Sequence, residues 1–237
     1  PGAAEAVEVA RRHGTRVVFV TNNSSGTLAE YAQKLQDAGI VAPAGDIVTS
    51  AQAAAALLTI QLPAASRVLA CAGDGVREAL DAVGFTVVDD APADAVVVGW
   101  HRTFNFEGLA RAANVVRSGA CFVATNLDAT YPVVDGLLPG AGAIVAAVAT
   151  AGGRQPEVAG KPEAPMVELV RARCGPDGVM VGDRPSTDGA LAAALGWPFA
   201  LVLSGVAGTP GEEPVPDPRP PYVTPDLAAL VDQLYRS

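Results

Sequence analysis

The chain has 237 residues, half of them hydrophobic and 17% charged, with 25 glycines and 19 prolines. That composition excludes intrinsic disorder, and the length allows one large domain or two modest ones with a real core. Lys and Arg number 16 against 25 Asp and Glu, a net charge of −9, which excludes a nucleic-acid phosphate binder; a few placed cations can still serve one small anion.

Residues 3–13 and 27–38 read as helices on either side of a first strand at 16–20, the second helix ending on Gly39 as its C-cap. The apolar run 53–65 carries Gln61 and Pro63 and is too short to span a bilayer. With no visible secretory signal, the expected location is the cytoplasm, with no membrane partner. Further strands are predicted at 67–71, 85–88, 95–98, 121–124, 179–181 and 199–203. These apolar runs without polar alternation suit strands buried on both faces, so the predicted class is α/β with mostly parallel, doubly wound sheets. The Pro-rich stretch 210–225 reads as a surface loop before a last helix at 227–235. Cys71, Cys121 and Cys174 are scattered, without a C-x-x-C, and are expected to be reduced, buried thiols. A catalytic Cys would have only His13 and His101 as a base.

Three strand-to-helix junctions carry polar clusters: Thr21-Asn22-Asn23-Ser24-Ser25, Gly160-Lys161-Pro162 and Gly182-Asp183-Arg184. Ligands of open α/β sheets sit outside the carboxyl ends of the strands, so these junctions could share one crevice. The distance between the first and the second leaves room for an inserted domain, placed at 51–157, with the core formed by 1–50 plus 158–237.

Each cluster has two readings. Thr21-Asn22-Asn23 is either a hydroxyl and backbone N–H cradle for a phosphate or an Asx turn with an N-cap. Lys161, one of two lysines with Lys34, is either a point contact to phosphate or an ordinary surface lysine. Asp183 and Asp188 are either hard oxygen ligands for Mg²⁺ or a helix N-cap and a first-turn acid. Together, a hydroxyl, a cation and paired acids at strand ends are what phosphoryl transfer requires. No residue before Thr21 reads as a nucleophile on a strand.

The order TNNSS, GKP, GDRPSTD resembles motifs two, three and four of the haloacid-dehalogenase-like phosphatases. More narrowly it resembles the NagD-like branch (subfamily IIA) of 4-nitrophenyl, phosphoglycolate and glycerol-phosphate phosphatases. PGAAEAV at the start, TSAQAAA at 49–55, TNLDATYP at 125–132 and LLPGAGAIVAAV at 137–148 extend the likeness over nearly the whole chain. The resemblance implies a doubly wound, Rossmann-like core sheet with an inserted α/β cap that closes over the crevice. It implies Mg²⁺-dependent hydrolysis of a small-molecule phosphate monoester through an aspartyl-phosphate, and a homodimer paired through the cap. By the same resemblance, Thr21 would bind the transferring phosphoryl group, helped by Asn22 and Asn23, and Lys161 would neutralise it. Asp183 would coordinate Mg²⁺, with Asp188 as a second ligand or a partner behind it. Asn126 and Asp128, in the loop 126–132, would meet the leaving group; the alternative for that loop is an Asn/Asp turn closed by Pro132.

Family members begin with D-x-D-G, whose first aspartate attacks phosphorus and whose second acts as acid and base. That segment is expected upstream of Pro1, on the central strand of the core sheet. Relatives commonly show an aspartate before the arginine where this chain has Trp100-His101-Arg102. Two other classes stay open: a non-catalytic phosphate-binding relative, and a dinucleotide-binding oxidoreductase suggested by Gly140-Ala141-Gly142 opening a helix. In the latter, Val145 stands where a third glycine belongs, and no clear strand precedes the fragment immediately.

Overall fold

Charge placement explains the first helix. α1 (Ala3–Arg12) has Glu5 in its first turn and Arg11 and Arg12 in its last, which suits the helix dipole, and it buries Ala6, Val7 and Ala10. The computed structural model describes residues 2–133, 136–207 and 213–235. β1 (Phe19–Thr21) is shorter than predicted, because its partner β2 (Ile47–Thr49) offers a ladder of only three residues. Arg16 instead pairs with Asp46 at 2.8 Å and donates to the Arg173 carbonyl at 2.7 Å. Between the two strands runs α2 (Leu28–Asp37), followed by Gly39 at φ 82°, a C-cap conformation that glycine adopts without strain. α3 (Ser50–Gln61) opens on a capping box in which Thr49 and Gln52 satisfy each other's backbone N–H.

The chain then alternates β3 (Arg67–Cys71), α4 (Asp74–Ala82), β4 (Thr86–Val88), β5 (Ala95–Val98), α5 (Phe106–Arg117) and β6 (Cys121–Ala124). An antiparallel hairpin follows, β7 (Thr130–Val133) and β8 (Gly136–Pro139), then α6 (Ala141–Gly152), β9 (Glu157–Val158) and α7 (Ala164–Cys174). The hairpin corrects two expectations. Pro132 lies inside β7 rather than closing a turn, and a strand does stand immediately before Gly140. The remaining elements are β10 (Met180–Gly182), a single π-helical turn Pro185–Gly189, α8 (Ala190–Leu195), β11 (Phe199–Val202), β12 (Tyr222–Thr224) and α9 (Leu227–Tyr235). β12 ends the Pro-rich stretch that reads as a loop. Tyr222, Val223 and Thr224 are strand formers, and they pair in parallel with Ala200, Leu201 and Val202. Residues 210–212 of that stretch lie outside the described residues.

The chain forms two compact units, one of Pro1–Phe19, Ala32–Ile47 and Val167–Ser237, the other of Val20–Tyr31 and Val48–Met166. Segments 20–31 and 158–166 therefore cluster with the inserted region. The first unit holds the parallel sheet β10-β11-β12, and α1 packs on α9, where His13 stacks on Tyr235 at 4.6 Å and Thr15 hydrogen-bonds the Tyr235 hydroxyl. The second holds a five-stranded parallel sheet in the order β4-β3-β5-β6-β9. All four residues of β5 are buried, as a strand covered on both faces requires. On one face Leu69, Val96, Val98 and Phe122 pack against Val115, Val116, Ile144 and Val148 of α5 and α6. The fold is α/β with parallel sheets, as predicted. Among the described residues no helix is long and apolar enough to cross a membrane. All three cysteines are free; Cys71 is buried, but Cys121 and Cys174 are only half-buried.

Candidate active site

The first polar cluster is organised around one amide. Asn22, just past the end of β1, is 7% exposed. Its Oδ1 accepts from the Lys161 N–H at 2.7 Å, and its Nδ2 donates to the Lys161 carbonyl at 3.2 Å and to Asp128 Oδ1 at 3.4 Å. Both amide hydrogens are thereby engaged, and the Lys161 backbone is held against the end of β1. The Lys161 ammonium donates to the Val20 carbonyl at 3.4 Å. The Asn22 carbonyl accepts from Ser50 Oγ at 2.5 Å and from Asn126 Nδ2 at 2.7 Å. Close approach explains Gly160: a Cβ there would lie 2.3 Å from the Thr125 carbonyl oxygen and 2.6 Å from Asn22 Oδ1.

Neighbouring side chains fix the loops. Thr21 Oγ1 accepts from the Asn23 N–H at 3.0 Å, which leaves the hydroxyl hydrogen to donate elsewhere. Asn23 Oδ1 accepts from the Ser25 N–H and hydroxyl, and its Nδ2 donates to the Tyr131 hydroxyl at 3.1 Å. Asn126, 3% exposed, accepts from the Asp128 N–H at 3.0 Å in an Asx turn. The structure thus brings Thr21, Asn22, Asn23, Asn126, Asp128 and Lys161 together. Asn22 and Asn126 use their side chains on the protein itself, so Thr21 and Lys161 supply the groups able to meet an anion. Sequence reasoning missed Ser50 and Tyr131. Ser50 follows a capping Thr and carries no further signal, while Tyr131 stacks on Trp100 at 4.3 Å, a pairing that spans the loop.

The acidic cluster is local. Asp183 follows Gly182 at the end of β10; its Oδ2 accepts from the Val206 N–H at 2.7 Å and its carbonyl from Ala207 N–H at 3.0 Å. Asp188 is 5% exposed, and its Oδ2 accepts from the N–H groups of Asp183 and Arg184 at 3.2 and 3.1 Å. A Cβ on Gly182 would lie 2.3 Å from Asp188 Oδ2, so only glycine lets the turn wrap this carboxylate. Two carboxylates are therefore held by backbone donors, with the contact on Asp183 falling on one oxygen. Among the described residues no three His, Cys, Asp or Glu side chains form a metal-binding group. Such a donor set fits Mg²⁺, which takes one or two carboxylates and keeps its waters, and does not fit Zn²⁺.

Two other candidates resolve. Cys71 Sγ lies 3.9 Å from His101 Nε2, but burial pushes the thiol up to about 11 and lowers the imidazole, the reverse of an activated thiolate pair. Cβ atoms on Gly140 and Gly142 would lie 2.1 Å from the Asp128 and 2.5 Å from the Leu127 carbonyl oxygens. These glycines let the loop seat on the start of α6, after an antiparallel hairpin rather than the parallel strand a dinucleotide turn needs.

Each unit thus carries a polar cluster at its strand ends, a hydroxyl and an ammonium around Asn22 in the second and two carboxylates after β10 in the first. The chain matches the family model of haloacid dehalogenase-like hydrolases over residues 1–86 and a second, HAD-hydrolase-like model over 158–230. It is 42% identical over 234 residues to D-glycerol 3-phosphate phosphatase of Mycobacterium tuberculosis, covering 97% of this chain and 65% of that protein's length. It is 35% identical over 239 residues to acid sugar phosphatase of Staphylococcus haemolyticus, covering 100% of this chain and 90% of the relative. Glycerol phosphate phosphatase from M. tuberculosis, solved in complex with magnesium, superposes with a TM-score of 0.85 at 40% identity, over 97% of this chain and 70% of that one. The chain belongs to the haloacid dehalogenase-like hydrolases.

Proposed function

We propose that the protein is a Mg²⁺-dependent phosphatase of a small phosphorylated polyol or sugar, working through an aspartyl-phosphate. The observation that carries this reading is the Asn22 amide, which clasps Lys161 and so sets a hydroxyl and an ammonium at one strand end. The substrate class follows the named activities of the relatives, a glycerol 3-phosphate phosphatase and an acid sugar phosphatase.

In this reading the Thr21 hydroxyl donates to a phosphoryl oxygen and Lys161 neutralises the charge that develops there. Asn22 and Asn126 position, rather than touch, the phosphate; Asn23 holds the loop through Ser25 and Tyr131. Asp128 and the hairpin beyond it meet the leaving group. Asp183, with Asp188 as second ligand or partner, would hold Mg²⁺, which supplies Lewis-acid neutralisation of the phosphoryl oxygens. The nucleophile is assigned to a D-x-D-G segment before residue 1. Its first carboxylate forms the O–P bond as the alkoxide leaves, the second donates the proton to that oxygen, and water then cleaves the acyl phosphate. Residues 51–157 are proposed as the cap, with pairing of two copies through it and a cytoplasmic location.

The test is phosphate release from 4-nitrophenyl phosphate and glycerol 3-phosphate by the full-length protein, with Mg²⁺ and with EDTA. Turnover that EDTA abolishes is expected. Full-length protein whose intact mass includes the D-x-D-G segment, yet which releases no phosphate, would instead be a non-catalytic phosphate binder.

A further inference from the structure

The second unit's sheet has a switch point of its own. From β3 the chain crosses through α4 to β4 on one side, and from β5 through α5 to β6 on the other. Right-handed crossovers in opposite directions put those helices on opposite faces and open a crevice beyond the carboxyl ends of β3 and β5, where ligands of open α/β sheets sit. A cavity of about 560 Å³ occupies that place, a size that suits a small molecule. None of Thr21, Asn22, Asn23, Asn126, Asp128 or Lys161 lines it.

Its wall carries three guanidiniums, those of Arg77, Arg102 and Arg111, in a chain of net charge −9. Arg77 is engaged: it donates to Asp89 Oδ1 at 2.5 Å and holds that carboxyl below the usual carboxylate range. Arg102 and Arg111 are exposed and make no ion pair among the described residues. α4 begins at the same wall, where the positive end of its dipole adds to the field of the cavity. Arg111 acts on the Asp89 carboxylate only through space and Arg102 lies over the Trp100 ring, so both guanidinium forks keep donors for a phosphate dianion.

The remaining wall restricts what bears the phosphate. Trp100 is stacked on Tyr131 at 4.3 Å and lies 5.7 Å from the Arg102 guanidinium, so its ring is already engaged within the protein. Asp74, also on the wall, is an acceptor suited to hydroxyl groups. Cys71, also on the wall, is held as a neutral thiol by its burial.

We propose that this cavity is a non-catalytic binding site for a small phosphorylated polyol or hydroxy acid, with Arg102 and Arg111 on the phosphate and Asp74 on hydroxyls. It is placed as an effector site. Ser25 lines it, and the Ser25 carbonyl accepts from the Gly75 N–H at 3.2 Å, which ties the cavity wall to the loop that carries Thr21. The binding itself does not depend on the phosphatase reading.

The test is calorimetric titration of the full-length protein with 3,4-dihydroxybutylphosphonate, which no phosphatase cleaves, and with inorganic phosphate. A Thr21→Ala background separates this cavity from the strand-end site. In that background the phosphonate is expected to bind still, and adding R102A/R111A weakens it about tenfold or more. R102K/R111K restores part of the loss, which a mere folding defect would not allow. Asp74→Ala weakens the phosphonate and leaves phosphate unchanged. Absence of binding in the Thr21→Ala protein, or an affinity indifferent to R102A/R111A, overturns the proposal; absent phosphate release with intact phosphonate binding overturns only the phosphatase reading.

Discussion

The two polar junctions are built by opposite means. Asp188 closes on the N–H groups of residues only five and four positions back, and one further bond from Val206 steadies Asp183. Asn22 closes over distance: its partners are Ser50, Asn126, Asp128 and Lys161, the last 139 residues away. A turn of the first kind is programmed by spacing and survives changes elsewhere. A junction of the second kind exists only when the sheet is assembled, and it holds the sheet's ends in return. Substitutions should therefore separate: at the acidic turn they alter ligand chemistry, and at the amide they alter chemistry and fold together.

The largest expected effect is at the acidic turn. Asp183→Asn keeps an oxygen for the Val206 N–H but loses the charge a cation needs. Mg²⁺-dependent turnover should fall about a thousandfold, while the melting temperature moves by less than about 2 °C. A large drop in melting temperature would erase the contrast between the junctions. Next comes Asn22→Leu, which strands the N–H and carbonyl of Lys161; urea denaturation should show a loss of about 2–4 kcal/mol. An unchanged urea midpoint would mean the amide only decorates the site.

Ser50→Ala sharpens the comparison further, because the Asn22 carbonyl keeps its bond from Asn126. The expected cost is about 1 kcal/mol, and it should grow when Asn126→Ala is combined with it, since the two donors share one acceptor. The smallest effect is a control outside both junctions. Burial lowers the affinity of His101 for a proton below its ordinary 6.5, so the unfolded chain protonates first as the pH falls. His101 therefore adds no penalty above that value and costs stability below it. Thermal melts from pH 7.5 to 5 should decline less steeply in His101→Gln than in the wild type.

Much of the fold is legible before any coordinates. The apolar runs at 67–71, 95–98 and 121–124 match β3, β5 and β6, because strands buried on both faces need unbroken hydrophobic sequence. The acidic turn is legible for a related reason: glycine, two acids and a five-residue spacing are written next to one another. The short strands β2, β9 and β12 are not. Two or three residues carry no periodicity, and they become strands only because a neighbour's edge accepts them.

The same division runs through the candidate site. The residue string by itself determined the alternation of helix and strand, the polar strand ends and the family that their order marks. Only the tertiary structure decided that Asn22 and Asn126 spend their side chains on the protein, that Ser50 and Tyr131 belong to the junction, and that Arg102 and Arg111 line one cavity beside β3 and β5. The physical reason is range. Propensity, capping and hydrophobic pattern act within a few residues and can be read along the chain. A hydrogen bond between an amide and a backbone 139 residues away depends on how strands are ordered in the sheet, and so exists only in three dimensions.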